Sequence, residues 1–294
     1  MYYIQETDKP KFLFKLFNII KVKEDKIILP IKDEKISIKK AEKLVNKTKN
    51  ILDKTNCNKV VLSKVIKKQE DYKNYLYSSD INIVKAEQLT EILLLDILNY
   101  IKNKKALKPE ELSLTIFVND ISMNMLENLK IMVKEYKRIN IITNHIQKFK
   151  KLEEDFFEEQ GIIITVGNNK RKSALKSNVI INVDFPNELI NQYNINDEAI
   201  IINLRGNIKI NKKRFTGINI NDYEIDFDNF EEFDYEKEML FDKKDIYEAE
   251  FIKNQPFKYS RNDLNKYKVK IIKLWKRGRF RFPQKNKYLE TKFD

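Results

Sequence analysis

From about residue 38 to residue 204 the apolar positions alternate between two rhythms, a helical recurrence and short unbroken runs. In residues 37–54 (SIKKAEKLVNKTKNILDK), Ala41, Leu44, Val45, Ile51 and Leu52 recur at the spacing that gathers them on one side of a helix. The run KVVLS (59–63) predicts a strand. It is followed by a helix through residues 72–77, a strand INIV (81–84) and a helix over 87–104, apolar around most of its circumference through Ile92, Leu93, Leu94, Leu95, Ile97 and Leu98. Pro109 ends that helix and marks a domain boundary. Beyond it LSLTIFV (112–118), INIIT (139–143), GIIITV (161–166), NVIINV (178–183) and EAIIINL (198–204) are five apolar runs. Helices predicted at 122–136 and 145–159 separate the first three. The helix over 122–136 carries Met125, Leu126, Leu129, Met132 and Val133 on its apolar face.

Strands apolar on both faces and joined by helices imply a parallel sheet covered on both sides. The expected fold class is therefore α/β. It comprises a small N-terminal α/β domain (1–108), a doubly wound, mostly parallel Rossmann-like sheet (109–221), and a charged C-terminal extension (222–294). Residues 1–31 read as a strand pair or arm. After residue 206 the regularity fades: an edge strand or hairpin with Gly217 in its turn is expected, then an irregular acidic stretch that becomes helical near Glu236.

Charge changes this picture in one respect. The net charge is +13, from 57 Lys and Arg against 44 Asp and Glu. Residues 222–250 hold 13 acids and 3 lysines, whereas residues 253–294 hold 14 bases and 3 acids. In LWKRGRFRFPQKNKY (274–288), Trp275, Lys276, Arg277, Arg279 and Arg281 combine cations with rings, a composition suited to phosphates and stacked bases or to an anionic membrane. The same tail could instead pair internally with the acidic block. Cys57 and His145, each the only one of its kind, leave little for a soft-metal site. The apolar run at 12–20 is broken by Lys15 and preceded by Glu6 and Asp8, unlike a secretory signal. No uncharged stretch approaches the roughly 18 residues of a membrane span. A cytoplasmic protein is expected.

The turn after the first strand of the second domain reads Asn119, Asp120, Ile121, Ser122, Met123, Asn124. The following segments are TNHIQKFKKLEEDFFEEQG (143–161) and LKSNVIINVDFP (175–186). Residues 112–204 thereby resemble the NAD(P)-binding domain of the shikimate dehydrogenase and glutamyl-tRNA reductase group. The resemblance implies a dinucleotide over the first turn and, at Asn144 and His145, contact with the adenosine phosphate of NADP. It also sets TNCNK (55–59) beside the reductases' nucleophilic cysteine motif, and nominates Lys64 and Asp120 as a proton-transfer pair by analogy alone. The departure lies in the first turn. A dinucleotide site wants G-x-G-x-x-G so that backbone can approach the pyrophosphate. Here no glycine is present, and Asp120 and Ile121 are expected to occupy the pyrophosphate's place, with Asp120 or Ser122 capping the next helix.

Elsewhere GNNKRKS (167–173) has one glycine where a P-loop has two and reads as a solvated loop. No G-x-S-x-G elbow accompanies the single histidine. The functional expectation is a degenerate relative of NAD(P)-dependent dehydrogenases that acts by interaction or regulation, with a protein partner or a second copy of itself. One alternative is an NAD(P)-dependent oxidoreductase with an atypical phosphate loop, binding NADP through Asn119, Ser122, Asn144 and His145. The other is a nucleic-acid-associated protein that uses the basic aromatic tail.

Overall fold

The structure is a computed structural model that describes residues 1–7, 12–32, 34–228, 235–254, 260–264 and 268–276. Along the chain, β1 (Tyr2–Glu6), α1 (Phe12–Phe17), β2 (Lys21–Lys23), β3 (Lys26–Leu29), α2 (Ile38–Lys54), β4 (Lys59–Leu62), α3 (Glu70–Ser78) and β5 (Asn82–Ile83) come first. Next are α4 (Glu87–Ile92), α5 (Leu94–Lys105), β6 (Ser113–Phe117), α6 (Met123–Glu135), β7 (Arg138–Ile142), α7 (Ile146–Gln160), β8 (Ile164–Gly167) and β9 (Val179–Asn182). The last are α8 (Asn187–Ile190), β10 (Ile200–Asn203), β11 (Ile218–Asp228), α9 (Tyr235–Leu240), α10 (Lys243–Asn254), α11 (Arg261–Leu264) and β12 (Lys268–Lys276). The chain forms two compact units, Met1–Leu89 with Asn229–Tyr259, and Thr90–Asp228 with Ser260–Asp294. Each is an α/β layer around a mostly parallel sheet, and the whole is of the doubly wound α/β class.

In the first unit the sheet order is β2-β3-β1-β4-β5, parallel except where β2 meets β3. Residues 1–31 are thus no arm. β1 is the middle strand, and its short, half-polar sequence YYIQE hides this because only two residues are needed to bury both faces. Ile4 packs into the cluster of Leu44, Val45, Leu52, Tyr72 and Leu76 from α2 and α3. Tyr3 packs on the opposite face with Phe241, Ile246 and Ala249. On β4 the alternation repeats, Val60 and Leu62 to the first side and Val61 to the second. The acidic C-terminal stretch therefore returns as the cover of this sheet's second face.

That return is tied by charge. The Lys67 amine reaches both Asp242 and Asp245. Burial opposes the charge on Lys67, but Asp245 and Asp242 outweigh it and hold the amine above its usual value. Burial also opposes ionisation of the two carboxyls. At Asp242 the Lys67, Lys244 and Lys64 charges prevail and hold it below the usual range. At Asp245, with its side chain only 1% exposed, burial prevails and raises it.

In the second unit the order is β12-β11-β10-β9-β6-β7-β8, and all neighbours are parallel except β11 and β12. Numbered from β6, the parallel strands run 3-2-1-4-5-6, the Rossmann order, and the direction of winding reverses between β6 and β9. Residues 90–108, grouped by the sequence pattern with the first domain, pack here. The Arg261 guanidinium grips Asp96 of α5 through two 3.0 Å bonds and donates to the Ile92 carbonyl. The predicted 87–104 helix is broken at Leu93 into α4 and α5.

The acidic stretch at 222–228 is not irregular but continues β11, and its register answers the charge question for the start of the basic tail. Glu224 lies opposite Lys273, Asp226 opposite Lys270 and Asp228 opposite Lys268. Opposite charges on facing positions favour that pairing. Gly217, directly before β11, lies against β10's lead-in, where Gly217 N donates to the Asp197 carbonyl and Ile218 N to that of Ala199. A Cβ there would fall within contact distance of the Ala199 carbonyl oxygen and 2.9 Å from its nitrogen.

Two measurements test these supports. Gly217→Ala should lower stability by about 1–3 kcal/mol in urea unfolding, because backbone and not a flexible side chain stands in the way. Lys67→Met should cost about 3 kcal/mol at neutral pH by leaving a buried carboxylate without its cation. A carboxyl whose folded pKa is raised adds stability below its unfolded pKa and loses it as pH rises through the folded one. The deficit of Lys67→Met should therefore narrow as pH falls toward 4 and Asp245 takes up a proton.

Candidate functional site

In an open parallel sheet the place for a ligand is the crevice beyond the carboxyl ends of the strands where the winding reverses. Here that place is the gap between β6 and β9. β6 runs into Val118, whose N–H bonds to the Ile142 carbonyl, and β9 runs into Val183, whose N–H bonds to the Phe117 carbonyl. Asn119 and Asp184 are the next residues on the two strands. The Asp184 carboxylate accepts from the Asn119 N–H at 2.8 and 3.1 Å and from the Asp120 N–H at 2.8 Å. The first turn's amides, which in a dinucleotide fold face pyrophosphate, are given to a carboxylate from the neighbouring strand.

The residues named for NADP do gather here. Asn119 Oδ1 accepts from the Asn144 N–H at 2.9 Å, which ties the end of β6 to the end of β7. Ser122 is the N-cap of α6, its hydroxyl oxygen accepting from Met125 N at 3.0 Å and its proton going to Glu91. His145 is the cap residue of α7. It makes no side-chain cap bond, and its own N–H donates to Thr143 Oγ1 at 3.1 Å. Asn144 and His145 are both exposed.

The expectation that Asp120 fills the phosphate position is corrected. Its side chain is 81% exposed and pairs with Lys148 of α7 at 2.7 Å. The hydrogen bond and charge of Lys148 hold its carboxyl below the usual range. Asp184 does what the sequence pattern gives to Asp120, and only the sheet order brings it there.

Three further groups at this edge escape sequence reasoning. Glu91, its side chain 4% exposed, accepts from Ser122 and pairs with Arg205, which follows β10, at 2.9 Å. Its backbone carbonyl also accepts from Asn128 of α6. A row of asparagines crosses the sheet, Asn182 and Asn203 at the ends of β9 and β10 and Asn219 and Asn221 in the first part of β11. The Asn203 amide donates to Asn219 at 2.8 Å and to Asn221 at 2.7 Å, while Asn182 donates to Asn203 at 3.3 Å and to the Phe185 carbonyl. Asn219 and Asn221 both donate to the Ile208 carbonyl and so fasten the loop after β10. The signal was present as asparagines at the ends of β9 and β10 and at the start of β11, but it reads as loop polarity until the strands are placed side by side.

The other nominated groups belong to other elements, and Cys57 to the first unit. Cys57 precedes β4, is half-buried against the first unit's core, and donates to the Lys59 carbonyl at 3.4 Å. The loop at 167–173 is solvated and organised by Asn169, whose Oδ1 accepts from Arg171 N and Lys172 N. Trp275 and Lys276 end β12, and the Lys273 ammonium sits 3.5 Å from the centroid of the Trp275 ring. Arg277, Arg279 and Arg281 lie outside the described residues. Among the described residues no cluster of His, Cys, Asp and Glu could hold a metal ion, and no helix is long and apolar enough to cross a membrane.

No family profile matches the sequence, and no curated protein matches it. Among solved structures the chain is similar to the L-tryptophan dehydrogenase of Nostoc punctiforme, at 13% identity and a TM-score of 0.31 over 60% of this chain and 50% of that one. It therefore spans about half the length of that dehydrogenase. It is also similar to the aspartate transcarbamoylase of Trypanosoma cruzi in complex with carbamoyl phosphate (13% identity, TM-score 0.29, 70% and 71% covered). A third likeness is the ornithine carbamoyltransferase of Pyrococcus furiosus (10%, 0.27, 69% and 71%). At these identities and TM-scores none of the three carries an argument.

The Glu91 constellation yields a test. Arg205→Met should destabilise the protein by about 2–3 kcal/mol in denaturant unfolding, because Glu91 stays buried without its cation. Adding Glu91→Gln should recover part of that loss. Equal stability of the single and double variants would show that the pair is not coupled.

Proposed function

We propose that the larger unit is a Rossmann-type domain whose phosphate site is closed from within, and that the protein acts by interaction or regulation and not by dinucleotide chemistry. The observation that carries this reading is the Asp184 carboxylate on the amides of Asn119 and Asp120. An internal anion at hydrogen-bonding distance takes the donors a pyrophosphate would need, and it repels a second anion at close range. The remaining groups at this edge support the same reading. Asn119 is engaged with Asn144, Ser122 with Glu91 and with the α6 backbone, and the asparagine row with itself and the Ile208 carbonyl. Together they stabilise strand ends, and they offer neither a base poised against a nucleophile nor an array of free donors.

The reading through the basic aromatic segment has less to draw on, since Trp275 and Lys276 are paired into β12 and one face of the indole lies against Lys273.

Thermal denaturation with NADH or NADPH tests the proposal. The wild-type midpoint should not move at millimolar cofactor, whereas a saturable rise would sink the reading, because a ligand held only by the folded state must stabilise it. Asp184→Ala should lower stability by about 1 kcal/mol, chiefly through the part-buried Asn119 amide it leaves without an acceptor. In that variant, unlike wild type, inorganic phosphate should restore part of the loss.

A further inference from the structure

The first unit carries an inverted helix. In α1 (FLFKLF) no residue is buried, and Phe12, Leu13, Leu16 and Phe17 are between 59 and 75% exposed. Their spacing places them on one face of the helix, and that face looks outward. The polar residue turns to the protein instead: Lys15 pairs with Glu34 at 3.1 Å, and the half-buried Phe14 lies under the Lys21 ammonium. The exposed apolar surface continues through Ile19 and through Val22 on the edge strand β2. Lys47 fastens the junction by donating to the carbonyls of Phe17 and Asn18, each at 2.8 Å. Scattered exposed apolar residues need no explanation, but six within eleven positions do.

The charge of this segment says what covers it. Between Asp8 and Glu24 the sequence holds Lys9, Lys11, Lys15, Lys21 and Lys23 and no acid. A second copy of the segment would meet it with like charge. So would the chain's own last residues, 277–294, which carry six bases against two acids. The complementary partner is anionic. Aromatic and aliphatic side chains fanned over a short helix, with lysines on flexible stems beside them, suit a fluid surface, which asks for apolar depth and positive charge but no matching shape. We propose that residues 12–23 are a contact site for anionic lipid bilayers, with Phe12, Leu13, Leu16 and Phe17 entering the headgroup boundary and Lys21 and Lys23 meeting lipid phosphates.

Flotation of the full chain with vesicles tests this. Wild type should float with an equimolar mixture of phosphatidylcholine and phosphatidylglycerol, float little with phosphatidylcholine alone, and release as salt rises. A variant carrying Phe12→Ser, Leu16→Ser and Phe17→Ser should lose flotation while keeping the wild-type melting temperature, since none of these side chains is buried. Lys21→Glu with Lys23→Glu should weaken binding to the anionic vesicles about tenfold or more. Three results would overturn the proposal. One is wild type that stays unbound to anionic vesicles. Another is flotation unchanged in the serine variant, which would move the contact to the C-terminal basic segment. The third is self-association of wild type that the serine substitutions abolish without vesicle binding, which would make the patch an interface between copies. If the serine variant fails to fold, the lysine reversals decide, and undiminished binding by them refutes the proposal.

Discussion

A parallel sheet has no face that it can leave to water, because its strands are joined through crossovers that must pack back upon it. Both sheets of this protein obey that constraint, and the course of the chain follows from it. The first sheet is covered on one side by α2 and α3, which lie in sequence among its strands, but the other side is left without a local element. The chain supplies the cover from far away, bringing Phe241, Ile246 and Ala249 onto Tyr3 and Val61. Lys67 with Asp242 and Asp245 anchors the approach. The acidic character of residues 222–250 thus has two structural uses, as the β11 positions opposite the lysines of β12 and as the anchor of the covering helices.

Legibility followed the range of the interactions. The five apolar runs of the second unit and the helices between them could be read because each run is apolar over most of its length, even at the start of the edge strand β8 where Ile163 is exposed, and each helix shows its period within a dozen residues. β1 could not be read, since its central position depends on pairing with β3 and β4, and a five-residue strand with two buried side chains carries almost no pattern. The break at Leu93 was hidden for the opposite reason. Residues 87–104 are apolar around most of the circumference, so periodicity has little phase to lose at the junction of α4 and α5. β11 was masked by its acids, which look like solvent-facing residues until a lysine-bearing strand is set beside them.

At the candidate site the sequence shows that the first turn lacks glycine, and the family resemblance names Asn119, Ser122, Asn144 and His145 together. Both miss Asp184, Glu91 and Arg205, because each acts across a distance in sequence that only the strand order closes. Asp184 is the instructive case. It follows an apolar strand by one residue and reads as the start of a turn, but the reversal of winding between β6 and β9 places it against the turn after β6.

The absence of glycine from the first turn and the carboxylate beside it can be understood together. In a dinucleotide fold the glycines exist so that backbone can come close to a phosphate, and they serve nothing if no phosphate comes. Here the Asn119 amide lies at a partly buried edge where an acceptor is needed, and the exposed Asp120 amide beside it shares the same one. Asp184 meets that requirement from within the chain, over a spacing that any residue types at 119 and 120 can satisfy, since only their N–H groups are used. The side chains of the turn are then released for other work: Asn119 joins β6 to β7 and Asp120 turns out to Lys148. The Rossmann strand order is thus compatible with an acceptor supplied from within the chain, and on the function proposed above this edge needs no ligand to satisfy the first turn's amides.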